Sequence, residues 1–382
     1  MDVPMSHRIT APPARASLAR RALLAHVMAA LAVAPGAARA AARDLLAIPA
    51  LPSAKAAKAL LLGVCLAGRR AVAVGERGVI VFSDDDGTTW RQASVPVSVT
   101  LTAVQFPTPE VGWAVGHDGV VLRSQDGGLR WTRRFDGTIA NALMADDARQ
   151  RLETARASGD AAAVEAAETA VEDAAAGGAF GPSRPLLGLW FRTPDDGFVV
   201  GSYGQIFRTR DGGERWESLG SALNNPDGLH CNAITATPTG VLLIAGEGGR
   251  VYRSADDGAR WERLDTGSPG ALYGVRALPE AGGGETLLAF GFGGRIFRRE
   301  GAAAWIPVAS PTARSLIGGV TQGGAPLLVD AAGSWCLSKD RGASFQPLRA
   351  AGSAPVAGVA ALREGALLQV GAGGVRVVPL AA

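Results

Sequence analysis

The residues that could do chemistry recur in one short motif, Ser/Thr-x-Asp-x-Gly-x-x-aromatic, which places a carboxylate five residues before a ring. The motif occurs at Asp85/Trp90, Asp126/Trp131, Asp211/Trp216, Asp256/Trp261 and Asp340/Phe345. Such an Asp could act as a general acid or bind Ca²⁺. In a tight turn it can also accept backbone N–H bonds, while the Gly takes the left-handed position and the ring packs beneath. We expect this structural role, because carboxylates at equivalent corners of separate repeats cannot converge on one substrate.

Other reactive residues are sparse. Tyr occurs only at positions 203, 252 and 273, which is few for a sialidase-like site with a Tyr nucleophile. Beyond residue 40 the only histidines are His117 and His230, and neither lies in a metal-ligand motif. The three cysteines fall in repeats that are not neighbours, so we expect buried thiols and no disulfide. We therefore expect a protein without enzymatic activity, metal or cofactor.

The elements that position these residues are revealed by a second repeat, Gly-x-x-Gly between two apolar runs. It occurs at Gly75/Gly78, Gly116/Gly119, Gly201/Gly204, Gly246/Gly249, Gly291/Gly294 and Gly371/Gly374, and as Asp330/Gly333 with the first Gly lost. Successive second glycines are 41, 85, 45, 45, 39 and 41 residues apart, which gives seven units and one insertion. Four short strands per unit of this length are typical of a propeller blade. The sequence predicts an all-β, seven-bladed β-propeller over residues 41–382.

Two segments depart from the repeat. The last unit, from Pro355, contains only three strands, and we expect residues 45–48 to supply its fourth strand and close the ring. Residues 136–185 are rich in Ala, Glu and Arg, and Ser158-Gly159-Asp160 is typical of a helix end followed by a new N-cap. The pattern predicts helices over 139–157 and 161–176, an α-helical hairpin inserted between blades two and three. It is either a tolerated insertion or a partner-binding arm.

The first 40 residues resemble a secretory signal peptide. Arg15, Arg20 and Arg21 precede a short apolar run over 22–34, and Ala38-Arg39-Ala40 fits a cleavage site. We expect export by the general secretory route, cleavage near Ala40 and a periplasmic protein, with twin-arginine export left open. The run 62–65, LGVC, resembles a lipoprotein box, but Val64 stands where a small residue is needed, and we interpret the run as a strand. No later run is apolar and long enough to predict a transmembrane segment.

The charge is nearly balanced, with 38 Lys and Arg against 35 Asp and Glu, and no basic run indicates nucleic-acid binding. Four arginines, however, share one register. Arg123, Arg208, Arg253 and Arg298 each lie four residues after the second glycine of their unit. Blades one, six and seven carry Phe82, Leu337 and Val378 there. The series is either a partner-binding surface or a structural set in which each Arg pairs with its neighbouring motif carboxylate or caps the blade edge.

Two runs carry a family resemblance: GWAVGHDGVVLRSQDGGLRW at 112–131 and FRTPDDGFVVGSYGQIFRTRDGGERW at 191–216. They resemble the photosystem II stability and assembly factors and their bacterial relatives, whose Asp-box (BNR-type) repeats also occur in sialidases, sortilin-like receptors and some glucanases. The resemblance covers the chain from about residue 45 onward, apart from the helical insertion. It implies a monomeric, non-catalytic scaffold in photosynthesis-related assembly, which binds a membrane protein or its assembly intermediate through an Arg-rich surface.

Two other functions stay open at this point. A carbohydrate-active or glycan-binding propeller is the first, because spacing alone does not exclude the two carboxylates of an inverting glucanase. An accessory protein of membrane transport, with the helical hairpin as its contact, is the second. Fold alone does not choose among these functions.

Overall fold

The computed structural model describes residues 44–278, 285–348, 355–362 and 365–380. The chain divides into two units, Met1–Asp44 and Leu45–Ala382, and only Asp44 of the first is described. The predicted signal peptide, residues 1–40, therefore lies outside the described residues. None of the described helices combines the length and the apolar character needed to cross a bilayer.

Short antiparallel strands are the main secondary structure of the second unit, and Gly and β-branched residues explain why. The first four sheets are β1–β4 (Leu61–Ala67, Arg70–Gly75, Ile80–Ser83, Arg91–Gln92), β5–β8 (Leu101–Gln105, Gly112–Gly116, Val121–Ser124, Thr132–Phe135), β9–β12 (Leu186–Phe191, Gly197–Gly201, Ile206–Thr209, Glu217–Ser218) and β13–β16 (Cys231–Ala236, Leu242–Gly246, Arg250–Ser254, Glu262–Asp265). The others in the described ranges are β17–β20 (Leu272–Leu278, Thr286–Gly291, Ile296–Glu300, Ile306–Val308), β21–β24 (Leu316–Gln322, Ala325–Asp330, Trp335–Leu337, Gln346–Leu348) and β25–β27 (Val356–Ala361, Ala366–Gly371, Gly374–Pro379). The prediction of a largely β chain of four-stranded repeats is confirmed.

The core lies between neighbouring sheets. Each apolar cluster joins residues of two sheets that follow one another in the chain, for example Phe82 of β3 with Leu122 of β7. The last sheet packs on the first in the same way, since Val370 of β26 shares a cluster with Val81 of β3. The first strand of each sheet also contacts the first strand of the next, and β25 contacts β1. Each sheet of the described residues is thus packed against its neighbours, which buries the apolar faces between them.

The two faces of this arrangement carry different loops. In a four-stranded antiparallel sheet, the turns between strands one and two and between three and four lie at one end. The Asp-box motifs form the second of these turns, and we call this end the box face. The Gly-x-x-Gly turns between strands two and three lie at the other end, together with the linkers between sheets. We call that end the arm face, because the linker from β8 to β9 contains the helices.

The insertion is helical, as its composition predicts. Helix α1 spans Gly137–Ser158 and helix α2 spans Ala161–Ala179, a few residues beyond the expected bounds. Asp136 caps α1 by accepting from the backbone N–H of Thr138 at 2.9 Å, and Asp160 caps α2 in the same way. Gly159 separates them with φ 73°, a left-handed conformation that Gly adopts without steric cost.

The expectation that residues 45–48 complete the last sheet is wrong. The Leu45 carbonyl accepts from the Ser98 N–H at 2.9 Å, and the Ala50 N–H donates to the Val95 carbonyl at 3.0 Å, so this segment follows the linker between the first two sheets. Leu46 is buried in the cluster between those sheets. The last sheet keeps three strands among the described residues. Burial of Leu46 explains the placement, because an apolar pocket stabilises the segment more than an exposed strand edge does.

Candidate partner-binding surfaces

The Asp-box carboxylates are used inside their own turns. In all five motifs Oδ1 accepts from the Ser or Thr hydroxyl two residues earlier and from the backbone N–H four residues later, at 2.8–3.0 Å. Hydrogen bonds from Thr89 lower the pKa of Asp85 to about 2, and those from Ser344 lower the pKa of Asp340 to about 2. A carboxylate this acidic holds no proton to donate near neutral pH. The five motifs therefore have the geometry of turn stabilisers.

The aromatic residue that ends each motif supports the same turn. Trp131, Trp261 and Phe345 are buried, and the indole N–H of Trp131 donates to the Gly128 carbonyl at 3.1 Å. Gly127 and Gly128 have φ of 71° and 88°, two successive left-handed residues that Gly tolerates best. The turn, its carboxylate and its ring thus form one local unit.

The third and first motifs depart from this pattern, because Trp216 and Trp90 are half-buried, and the expectation of a ring packed beneath its turn holds only in part. In the first motif this residue is Trp90. Its indole N–H still donates to the Gly87 carbonyl at 3.0 Å, so the contact within the turn is kept. The ring packs at the edge of the cluster between the first and the last sheets. In the third sheet Trp216, also half-buried, packs on Phe135 of β8, the fourth strand of the preceding sheet. The last sheet has no fourth strand among the described residues, so Trp90 lacks the corresponding cover there.

The four register-matched arginines join neighbouring sheets. Their side chains are mostly buried, with 10%, 3%, 26% and 12% of the surface exposed for Arg123, Arg208, Arg253 and Arg298. Each guanidinium reaches the following sheet: Arg123 to Asp195 at 2.9 Å, Arg208 to Asp257, Arg253 to Glu285 at 3.3 Å and Arg298 to the Arg341 carbonyl at 3.0 Å. Arg208 also lies over the Phe198 ring at 4.6 Å. These acceptors are other carboxylates and one backbone carbonyl, and not the five motif Asp side chains that were expected as partners. The arginines therefore contact neighbouring sheets, and partner contact by the series stays a prediction.

The arm face contains a groove of about 980 Å³ between the helices and the third sheet. Small residues line the helical side, including Ala148 and Ala174. Opposite them, the turn at 202–205 presents Tyr203, whose side chain is 59% exposed, and Phe180 at the end of α2 is 81% exposed. Two large exposed rings beside one groove are a feature typical of interaction surfaces.

Tyr203 is held in a strained position. Its φ is 57°, the left-handed region in which a non-Gly residue costs about 1–2 kcal/mol. The ring lies 5.0 Å from that of His230 and 5.4 Å from the Arg184 guanidinium. Arg77 and Asp118 have φ of 54° and 55° at the equivalent position of their own turns, so this conformation belongs to the repeat and is not particular to Tyr203. No binding role was predicted for Tyr203 from the sequence, although a bulky ring within a Gly-x-x-Gly turn was a visible departure.

The charges in the groove are mixed. Asp147 accepts from the Ser221 hydroxyl at 3.2 Å, and burial raises the pKa of its carboxyl. The His230 Nδ1 lies 3.0 Å from a Glu247 carboxylate oxygen. Arg151 and Arg184 also line the groove. A surface of this kind can accept apolar side chains and pair with a charge of either sign.

The remaining candidates do not assemble a catalytic or metal site. Tyr252 is buried within the fourth sheet, whereas Tyr203 is exposed on the third. No group of three His, Cys, Asp or Glu side chains within the described ranges could hold a metal ion. Cys65, Cys231 and Cys336 are unpaired, and burial raises the pKa of each thiol to about 12. Cys65 belongs to β1, which supports the strand interpretation of the LGVC run.

Comparison with known proteins places the chain in a family. The sequence model described as "Photosynthesis system II assembly factor YCF48" matches residues 82–164 and 182–356. The chain belongs to the Ycf48 family. The five Asp-box carboxylates and the four arginines lie within the matched ranges, whereas most of α2 falls in the gap between them.

Two curated Ycf48 relatives show the extent of the likeness. The "Photosystem II assembly protein Ycf48" of Synechococcus sp. (strain JA-2-3B'a(2-13)) is 28% identical over 144 residues, 34% of this chain and 40% of the relative. The "Photosystem II assembly lipoprotein Ycf48" of Synechococcus sp. (strain CC9902) is 35% identical over 66 residues, 16% of this chain and 20% of the relative. The alignments thus span less than half of either relative.

The solved structure titled "YCF48 bound to D1 peptide" matches with a TM-score of 0.59 and 16% identity, over 85% of this chain and 95% of that one. At this identity the match shows the fold alone, a β-propeller, which agrees with the all-β expectation.

Proposed function

We propose that this protein is an exported, non-catalytic, seven-bladed propeller that holds a segment of a membrane protein or of its assembly intermediate. Membership of the Ycf48 family carries the proposal, and the propeller related in fold whose title names a bound D1 peptide supports it. The seven sheets of the described residues would be the blades, with Val370 and Val81 in the cluster that closes the ring. Whether the partner belongs to a photosystem depends on the organism.

The arm-face groove is the contact surface that we propose for this partner. A peptide segment that leaves a bilayer carries apolar and aromatic side chains beside charged ones, which matches a groove with exposed Tyr203 and Phe180 and charges of both signs. Its volume of about 980 Å³ accommodates several residues of an extended chain. The helical hairpin is then the partner-binding arm, and not only a tolerated insertion.

Capture from detergent-solubilised membranes tests this surface. The variant Phe180→Ser/Tyr203→Asn removes both rings, and Asn keeps a residue that tolerates the left-handed conformation. We expect partner recovery to fall about tenfold or more, as for the loss of aromatic hot-spot residues. Phe292→Ser is the matched control, because Phe292 is 57% exposed on the same face but lies outside the groove. Equal recovery with both variants would refute the groove assignment.

Deletion of the arm provides a second test. The ends of the insertion meet, since a Cβ atom on Gly137 would lie 2.6 Å from the Pro182 Cα. Residues 138–181 can therefore be replaced by a short Gly-Ser linker without moving β8 or β9. We expect a folded propeller that no longer captures the partner. An unfolded product would instead assign the hairpin to the core, where Ala140 is buried.

The Arg series is tested in the same capture assay. Arg253→Gln is the informative change, because Arg253 is the most exposed of the four and pairs with Glu285. Partner contact predicts reduced recovery with unchanged thermal stability. A purely inter-sheet role predicts full recovery with reduced stability.

We propose that residues 1–40 are a signal peptide that directs export of the protein. Periplasmic fractionation with N-terminal sequencing tests this. We expect a mature chain that begins at Ala41. A chain retained in the cytoplasm with its first residues intact would refute export.

A further inference from the structure

Arg276 is a half-buried arginine for which no carboxylate partner is found among the described residues. It lies in β17, the first strand of the fifth sheet, close to the box face. Its guanidinium donates to the Gly319 carbonyl of the sixth sheet, the one acceptor found for it in the described ranges. Across those same ranges no Asp or Glu oxygen lies within 4.0 Å of it, whereas Arg123 and Arg208 reach one or two carboxylates each. Burial lowers the pKa of the Arg276 guanidinium, the direction expected for a cation removed from water.

The equivalent residue of the second sheet shows that the backbone contact does not require a charge. Gln105 pairs with Trp113 in the register in which Arg276 pairs with Leu288. The Gln105 amide donates to the Phe191 carbonyl at 3.2 Å and accepts from the Phe191 N–H at 2.7 Å. A neutral amide is therefore enough to hydrogen-bond the backbone of the first strand of the following sheet. The hydrogen bond from position 276 to the next sheet therefore does not require a positive charge.

The Arg276 side chain lines a cavity of about 290 Å³ on the box face. Trp190 of the third sheet and Thr235 of the fourth line the same cavity, and Arg276 is the one charged residue among its described lining residues. A second cavity of about 640 Å³ adjoins it and shares Trp190, Thr237 and Pro238 as lining residues. The smaller cavity thus combines a cation, a hydroxyl donor and an indole wall, with no anion among the described residues that line it.

These features define the charge and the shape of a ligand. The Arg276 guanidinium has one described backbone acceptor, so its remaining N–H groups are available to a carboxylate, which forms paired hydrogen bonds in the guanidinium plane. A single cation matches a monoanion better than a phosphate dianion. We propose that this cavity binds a carboxylate of a peptide, either a chain terminus or an Asp or Glu side chain, with Arg276 as the pairing residue, Thr235 as a hydroxyl donor and Trp190 as the apolar wall.

This site goes beyond the proposed function, because it lies on the box face and the groove lies on the arm face. The experiment uses small probes with the full chain and needs no partner protein. Indole N–H signals of ¹⁵N-Trp-labelled protein are recorded by NMR during titration with N-acetylglycine, and Trp190→Phe assigns the reporter signal. We expect a saturable shift of the Trp190 signal with N-acetylglycine and none with N-acetylglycinamide, which lacks the charge.

Variants and a third probe make the result decisive. Arg276→Gln retains the amide that Gln105 uses and should weaken binding about tenfold or more, while Arg276→Lys should retain part of it. Arg210→Gln is the control, since Arg210 is exposed and lies outside both cavities. A shift with N-acetylaspartate diamide, which carries only the side-chain carboxylate, assigns the site to acidic side chains, and its absence assigns it to chain termini. Equal shifts with the uncharged probe, unchanged binding by Arg276→Gln, or no saturation up to about 100 mM would overturn the proposal.

Discussion

Arg208 offers the sharpest test of how the sheets are held together. Its side chain is 3% exposed, and its guanidinium donates through Nε to Asp196 at 3.0 Å, through Nη1 to the Asp257 carbonyl at 2.8 Å and through Nη2 to the Asp257 carboxylate. Asp196 belongs to the same sheet and Asp257 to the next. The substitution Arg208→Gln therefore removes a link within one sheet and a link between two.

The expected cost follows from burial. Removing one partner of a buried ion pair costs about 3–5 kcal/mol, because the remaining charge stays uncompensated. The carboxylates of Asp196 and Asp257 are 21% and 40% exposed, so water partly replaces the guanidinium. We discount the cost accordingly and expect a loss of about 2–3 kcal/mol in the free energy of unfolding.

Urea denaturation followed by tryptophan fluorescence measures this loss as a shift in the transition midpoint. Arg210→Gln is the matched control, because Arg210 lies at the end of the same strand, is 57% exposed and pairs with Glu217 on the surface. Its substitution should cost less than about 1 kcal/mol. A loss below about 0.5 kcal/mol for Arg208→Gln, or equal losses for both variants, would refute the assignment of Arg208 to a buried inter-sheet pair.

Three further predictions concern the core, the thiols and the Asp boxes. Trp216→Ala should cost about 3 kcal/mol, because its ring lies 5.0 Å from that of Phe135, and a urea-midpoint loss under about 1 kcal/mol would contradict that packing. Cys231 should react with iodoacetamide at about pH 8 far more slowly in the folded than in the urea-unfolded chain, since burial raises its pKa to about 12 and suppresses the thiolate, and equal rates by peptide mass spectrometry would exclude this burial. The pKa of Asp340 falls to about 2 on folding, below the unfolded value of about 3.9, so its contribution to stability is present above about pH 3.9 and is lost as pH falls through 2. Thermal melts should therefore show a smaller loss between about pH 4 and pH 2 for Asp340→Asn than for the unchanged chain, and an unaltered pH profile would contradict the assigned hydrogen bonds.

Local signals in the sequence predicted the local structure well. The Asp-box turn is built from residues within about eight positions of one another, so the order Ser124, Asp126, Gly128 and Trp131 already contains each donor, acceptor and left-handed residue that it needs. The cap at Asp160 was predicted for the same reason, whereas the cap at Asp136 was found only in the structure. Interactions that span a few residues depend on composition and spacing, which a single sequence displays.

Contacts between sheets could not be predicted from such local patterns. Arg253 meets Glu285, which is 32 residues away and lies outside any repeated motif, so no periodicity marks it as the partner. The packing of Trp90 has the same origin, because its ring meets the cluster between the first and the last sheets and not only its own motif. The groove at Tyr203 exists only because α1 and α2 fold back over the third sheet. The surroundings of Arg276 were likewise hidden from the sequence. Among the described residues no carboxylate is within reach of its guanidinium, and nothing in the strand that contains it indicates this.

By itself, the sequence determined the repeating unit, because Gly, Asp and Trp at fixed spacing dictate each turn and each turn fixes the strands beside it. It also determined the family, through runs that combine those turns. The tertiary structure decided what the charged residues do, since pairing depends on which sheet each side chain meets. It also placed residues 45–48 along the first two sheets, where Leu46 is buried. It formed a groove with two exposed rings between the arm and the third sheet on one face. On the other face it placed an arginine whose one described acceptor is a backbone carbonyl.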